Sequence, residues 1–303
     1  MRKYSCAMDL LNYLLARVSN SVKSRSGVPI DIRNRIEEAL FLDKANSRTL
    51  ENIEEFINLI AQNSSEIPLQ FNGKLNQDGF YPTSQFIPLK NRHVISIGVG
   101  NNQVLDVELL KAGAYVTMFD HTIAPPSKLL KRYTGARYFP IGIAESKQSN
   151  FDTLAGLIQK LPMKTNENLA LLKIDVEGNE YKSLQDIDSE TFTCVDQLAI
   201  ELHFLNKFTD EEFAHKLINI LRVIFRTHVV TYISPNNYGG AVSLQNGVLW
   251  PFTLEVLFVK KELIQGDMGI HKFQNIFKVI NRNWHLGKSL DLTSWRSLVK
   301  ALD

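Results

Sequence analysis

The sequence predicts an α/β fold: a doubly wound, Rossmann-like sheet of mainly parallel strands with an antiparallel last strand, preceded by N-terminal helices. Three observations carry that reading. Beyond residue 90, short apolar runs alternate with segments of helical periodicity. Those runs are almost continuously apolar, as strands covered on both faces must be. The first of them ends in a glycine bend, VISIGVGNN at 94–102, directly before a helical pattern. In doubly wound sheets that turn is where a ligand is received.

Taken in order, Leu10, Leu11, Leu14, Leu15 and Val18 fall at helical spacing and predict an amphipathic helix packed on the body. Ile32, Ile36, Ala39 and Leu40 mark a second helix. Leu50, Ile53, Phe56, Ile57 and Ile60 mark a third, with Ser47 as its N-cap. Asn, Ser, Pro and Gly residues over 63–82 read as a connecting loop. Strands are expected at 93–98, 115–120, 137–143, 169–175, 197–203, 228–233 and 254–259, with helices at 103–112, 152–159 and 210–223. Right-handed crossovers join such units. The last two strands have no helix between them, so a hairpin would add an antiparallel strand at the sheet edge. Phe273, Ile276, Phe277 and Ile280 suggest one more amphipathic helix. Three regions follow: helices over 1–75, the α/β domain over 76–262 and a helical tail over 263–303.

Composition narrows the classes. The 303 residues carry a net charge of +2, with 44% hydrophobic and 22% charged residues, which is globular rather than disordered or fibrous. A nucleic-acid binder would carry a larger basic excess. Cys6 and Cys194 are too few and too far apart for a disulfide framework or zinc cluster, and suit reduced thiols in a cytoplasmic protein. No apolar run is long enough for a transmembrane segment. Peripheral membrane contact through the first helix, and homo-oligomerisation, stay open.

The chemistry is expected at the carboxyl ends of the strands. Gly98 and Gly100 let the chain turn tightly, and the next helix points free N–H groups at the same place. A dinucleotide fingerprint needs a third glycine where Gln103 stands, which speaks against a nicotinamide oxidoreductase. Asp120, at the end of the second strand, is placed to accept from ribose hydroxyls, or else caps its loop. Glu145, after Ala144, is placed to accept from an adenine amino group. The fourth run, NLALLKIDVEGNEYKSL, ends in Asp175 and Glu177; the fifth, QLAIELHF, carries Glu201 and His203 on one face. Buried acids are costly unless paired or used.

The order of glycine bend, strand-two Asp, LLKIDVEGNE and QLAIELHF resembles the FkbM-type methyltransferases, a branch of the class I S-adenosylmethionine-dependent enzymes. NQDGFY at 76–81, PNNYGG at 235–240 and PFTLEVLFV at 251–259 are similar to further family segments. Ser96 stands where the family often has an acid. The resemblance implies a class I methyltransferase sheet and transfer of a sulfonium methyl, most often to a hydroxyl oxygen. It implies that Gly98 and Gly100 line the methionine end, that Ser96 hydrogen-bonds there, that Asp120 holds the ribose, and that Ala144 and Glu145 flank adenine. Asp78, Asn101 and His121 would join them, and Asp175 would stand at the cofactor–substrate junction. His203, as a neutral imidazole, would take the acceptor's proton, with Glu201 orienting it. A less favoured scheme has Asp175, Glu201 and His203, with Asn236, ligating Mg2+. Glu177, Asn236, Asn237 and Glu255 would meet the substrate, a saccharide or glycan. A non-catalytic cofactor-binding or interaction module is the competing class.

Overall fold

The computed structural model describes residues 30–72, 81–163, 167–185, 187–236, 239–244, 246–266, 268–269, 272–273, 276 and 292–299. Cys6, the expected helix around 10–18, Asp78, Asn237, Phe277 and Ile280 lie outside those residues. Two helices open the described chain, α1 (Ile30–Lys44) and α2 (Ser47–Gln62). The cap of α2 is Asn46, one residue before the expected Ser47. Its side chain accepts from Thr49 N at 2.9 Å while Thr49 Oγ1 accepts from Asn46 N at 3.3 Å, a reciprocal capping box.

The stretch expected as a loop contains most of a strand pair instead. β1 (Leu69–Asn72) and β2 (Tyr81–Ser84) run antiparallel. Alternation then begins: β3 (His93–Ile97), α3 (Val104–Lys111), β4 (Tyr115–Phe119), α4 (Ser127–Arg132), β5 (Ala136–Phe139), and the short β6 (Gly142–Ile143) and β7 (Phe151–Asp152). Next come α5 (Leu154–Ile158), β8 (Leu171–Ile174), α6 (Glu180–Leu184), α7 (Ser189–Thr193), β9 (Gln197–Leu202) and α8 (Glu211–Ile224). The chain continues through β10 (His228–Pro235), β11 (Ala241–Ser243), β12 (Leu249–Pro251) and β13 (Leu254–Lys260).

Seven strands form the central sheet in the order β10-β13-β9-β8-β3-β4-β5. From β9 to β5 every pairing is parallel, and β13 runs antiparallel to both its neighbours. The antiparallel strand is therefore interior, not at the edge. Burial does not separate the two strands, because β13 is buried at every position but the last and β10 at every position; the pairing decides which is interior. β10 takes the outer place, and its Val230 bridges to Ser64.

Alternation along each strand splits the core in two. β3 sends Ile95 and Ile97 into one cluster and Val94 into the other. α2 and α8 bury their apolar stripes in the first cluster, where Phe56 meets Phe208, Trp250 and Trp295 edge-on at 5.5–6.1 Å. Phe273 and Ile276 of the tail are buried in the same cluster, and half-buried Cys194 packs against it as a free thiol. No helix among the described residues is long and apolar enough to cross a membrane.

Candidate active site

The sheet brings the glycine bend and the acidic strand ends to one cavity. Gly98 adopts φ +76°, and a Cβ there would lie 1.6 Å from the Asp175 carbonyl oxygen. Only glycine lets β3 and β8 end so close together. Lys173, on β8, donates from Nζ to Gly98 O at 2.6 Å and pairs with Asp175 Oδ2 at 2.9 Å. One buried cation thus ties the bend to the acid. Burial works to lower the Lys173 pKa, but Asp175 and Asp106 raise it above the ordinary value. Burial likewise opposes ionisation of Asp175, and Lys173 outweighs it, holding that carboxyl low.

Asp120 turns toward the bend. Its Oδ2 accepts from Val99 N at 3.0 Å and Gly100 N at 2.8 Å; its Oδ1 accepts from the Thr122 N–H at 2.7 Å and the Thr122 hydroxyl at 2.6 Å. Burial alone would raise its pKa, yet these bonds hold it below the usual value. Both oxygens are fully used within the chain, so in this structure Asp120 is a brace for the bend.

A cavity of about 500 Å³ opens here. Among the expected cofactor contacts, Gly98, Gly100, Asn101, Asp120, His121 and Asp175 line it, as does Glu177. Ser96, buried at 1% exposure, does not. Ala144 and Glu145 do not either: after β6 the chain turns outward, Glu145 is exposed, and Gly142 and Ile143 form that wall.

His203 follows β9 directly, on the same side as Glu201. Glu180, fully buried on α6, accepts from His203 N at 2.9 Å and meets His203 Nδ1 at 3.1 Å. The carboxylate can only accept, so Nδ1 carries its proton. Nε2 then faces Asp175 Oδ1, Glu177 Oε2 and Glu201 Oε1 at 3.8, 3.7 and 3.9 Å. Burial tends to lower the His203 pKa, but the Glu180 hydrogen bond and the charges of Glu201, Glu180 and Asp175 raise it to about 9. The surrounding carboxylates thus favour the charged imidazole over the neutral form expected of a base.

The strand-end acids divide into two groups. Tyr81 donates to Asp175 Oδ2 at 3.2 Å and to Glu201 Oε2 at 3.3 Å, and Asn236 Nδ2 donates to Glu201 Oε1 at 2.6 Å. Glu255 is the register partner of Glu201 across β13 and β9, so both side chains share a face. Glu201, Asn236 and Glu255 thus form a buried polar group that does not line the cavity. Asn236 and Glu255, expected at the substrate, stand apart from this cavity's lining. Glu177 does stand at the mouth, with φ +52° and a side chain 86% exposed.

Four residues of the site went unread in the sequence: Tyr81, Asp106, Lys173 and Glu180. Lys173 had a signal, a lone lysine inside the apolar run LLKI and two residues before an acid. Asp106 lies on α3, is 2% exposed, lines the cavity, and its Oδ1 has no hydrogen-bond partner among the described residues. Burial raises its pKa, and Lys173 and the nearby Ser96 hydroxyl act against that.

Residues 80–226 match the family model described as the methyltransferase FkbM domain. No curated protein matches the chain significantly. Similar solved structures include the 23S rRNA methyltransferase ErmE, at 10% identity and TM-score 0.36, covering 59% of this chain and 67% of that one. An rRNA methylase from Streptococcus thermophilus shares 15% identity at TM-score 0.35, covering 57% and 89%. The 1,6-didemethyltoxoflavin-N1-methyltransferase from Burkholderia thailandensis, solved with S-adenosylhomocysteine, shares 13% identity at TM-score 0.31, covering 56% and 72%.

Proposed function

From the premise that residues 80–226 of this chain are a methyltransferase FkbM domain, we propose that it transfers a methyl group from S-adenosylmethionine to a hydroxyl oxygen, with a saccharide or glycan as the acceptor class. The observation that carries the reading is a single cavity that joins the Gly98–Gly100 bend to the Asp175–Glu177 mouth.

The residues present suit the cofactor. A volume of about 500 Å³ is in the range of small-molecule sites. The unpaired Asp106 Oδ1 offers an acceptor for the ammonium of a methionine moiety, the position for which the strand itself supplies only Ser96. Asp120 would hold a ribose diol if the Thr122 hydroxyl gave up its place on Oδ1. His121 and Gly142 stand where the adenine wall would be.

Bound there, the cofactor supplies an electrophilic methyl group on a cationic sulfur. The chain's own residues do the rest. Lys173 and Tyr81 hold Asp175 rigid, so its Oδ1 remains turned to the mouth beside Glu177 Oε2 and His203 Nε2. That notch would hold the acceptor hydroxyl near the methyl that a bound cofactor would supply, and Glu177, which faces solvent, would take up the hydroxyl proton. Alignment and electrostatics, rather than a neutral histidine, carry the step.

The test is incubation of the purified protein with methyl-labelled S-adenosylmethionine and a panel of free, nucleotide-linked and glycan saccharides. The reading expects label on a sugar oxygen and its loss in Asp175→Asn. Label on nitrogen, or none with any acceptor, would refute it.

A further inference from the structure

Four carboxylates, those of Asp175, Glu177, Glu180 and Glu201, lie within 4 Å of the His203 ring nitrogens. Lys173 pairs with Asp175 as well, so among these six residues four acids stand against two basic groups.

Three of the donors are arranged differently from the rest. Asp175 Oδ2, Glu201 and Glu180 are engaged by Lys173, Tyr81, Asn236, Gly178 and His203 Nδ1. Asp175 Oδ1, Glu177 Oε2 and His203 Nε2 instead converge on one another; Asp175 and Glu177 line the cavity, and His203 stands behind them. One oxygen or nitrogen from each of Asp175, Glu177 and His203 lies within 4.8 Å of the others. The His203 side chain is 9% exposed, yet Nε2 has no hydrogen-bond partner among the described residues. Its three carboxylate neighbours stand at 3.7–3.9 Å, beyond hydrogen-bonding reach. Glu180 fixes the ring through Nδ1, which is how a carboxylate behind a metal-binding histidine sets tautomer and orientation.

We propose that Asp175, Glu177 and His203 form a divalent-cation site at the mouth of the cavity, binding through Asp175 Oδ1, Glu177 Oε2 and His203 Nε2, from which the cation displaces the proton to solvent. Two carboxylates and one imidazole suit a cation of the Mn2+ or Mg2+ kind that tolerates nitrogen. Ligands at ~2.1 Å would sit ~3 Å apart around an octahedral ion, so the site closes through a small swing of the exposed Glu177. Asp175 and Glu177, two of the three ligands, line the cavity. This deepens the methyl-transfer reading and rests on it for its use: an acceptor hydroxyl bound to the cation becomes more acidic, and releases its proton to solvent as the C–O bond forms. Glu201, expected as a ligand, is replaced by Glu177, because Tyr81 and Asn236 hold Glu201 behind the mouth.

The experiment is titration of Mn2+ into the purified chain, followed by loss of the free-ion signal in electron paramagnetic resonance, with S-adenosylmethionine binding measured on the same samples. The proposal expects one Mn2+ per chain, at least tenfold weaker binding in Glu177→Gln, and unchanged binding in Glu190→Gln on an exposed helix elsewhere. Glu177 is 86% exposed, so its variant keeps the fold. No Mn2+ binding by the wild-type chain, or equal binding in Glu177→Gln, overturns the site while a positive cofactor titration leaves the methyl-transfer reading standing. Mn2+ binding without cofactor binding supports the site and refutes that reading.

Discussion

At Asp106 a carboxylate is held 2% exposed on the wall of a cavity, with one oxygen unpaired. Such a group destabilises the empty protein and is relieved by a cationic ligand. Asp106→Asn is therefore expected to raise the unfolding free energy of the ligand-free chain, by about 1 kcal/mol, as read from urea denaturation. The same variant should bind the cofactor about tenfold or more weakly, since a charged hydrogen bond contributes about 1.5–3 kcal/mol. A merely structural Asp106 would lower stability instead. Residues of this kind were only partly legible. Asp175, Glu201 and His203 stood out because polar groups interrupt apolar strands at a spacing of two. Asp106 did not, because an acid in the first turn of a helix is ordinary there. Glu180 was hidden for the same reason, although it turns inward and sets His203.

Elements decide what the spacing leaves open. The strands were legible as apolar runs, and β13 could be recognised as a strand, but its place between β9 and β10 is a matter of pairing that local pattern does not encode. That placement puts Glu255 opposite Glu201 and ties Asn236 to the same acid, a grouping of polar residues that spacing along one strand does not reveal. The short α6 has a comparable effect on His203. Glu180→Gln keeps the shape but weakens the hydrogen bond to Nδ1. The expected outcome is a fall in kcat of about 10–100-fold with KM for S-adenosylmethionine unchanged, because α6 touches the imidazole and not the glycine bend. Parallel changes in kcat and that KM would point to a purely structural role. Lys173→Met removes the cation between Gly98 and Asp175. Breaking a buried pair this way costs about 3–5 kcal/mol, measurable as a lower midpoint in thermal unfolding.

For the whole molecule, pH dependence of stability follows from His228, at the start of β10 and fully buried. Its Nε2–H donates to Val195 O at 3.0 Å, which leaves Nδ1 to accept from the Thr227 hydroxyl at 2.8 Å. Burial is the main reason its pKa falls to about 4. The unfolded histidine titrates near 6.5. Between these values the unfolded chain binds more protons than the folded one, so stability rises with pH across that window. The His228 contribution is complete above about 6.5 and is lost as pH falls through about 4, by up to roughly 3 kcal/mol. His228→Asn should flatten that limb relative to the wild type in urea unfolding at pH 4–7; an unchanged slope would assign it to the carboxylates alone.

At this scale too, the two halves of the cavity meet only through the fold. The glycine bend and the KIDVEGNE segment are far apart in sequence, yet Lys173 and the Asp175 carbonyl lie against Gly98. The central claim is that this shared cavity holds S-adenosylmethionine. Calorimetric titration of the cofactor into the wild-type chain and Asp106→Asn tests it most directly. Saturable one-to-one binding, at least about tenfold weaker in the variant, is the predicted result; no binding by the wild type, or equal affinity in both, would contradict it.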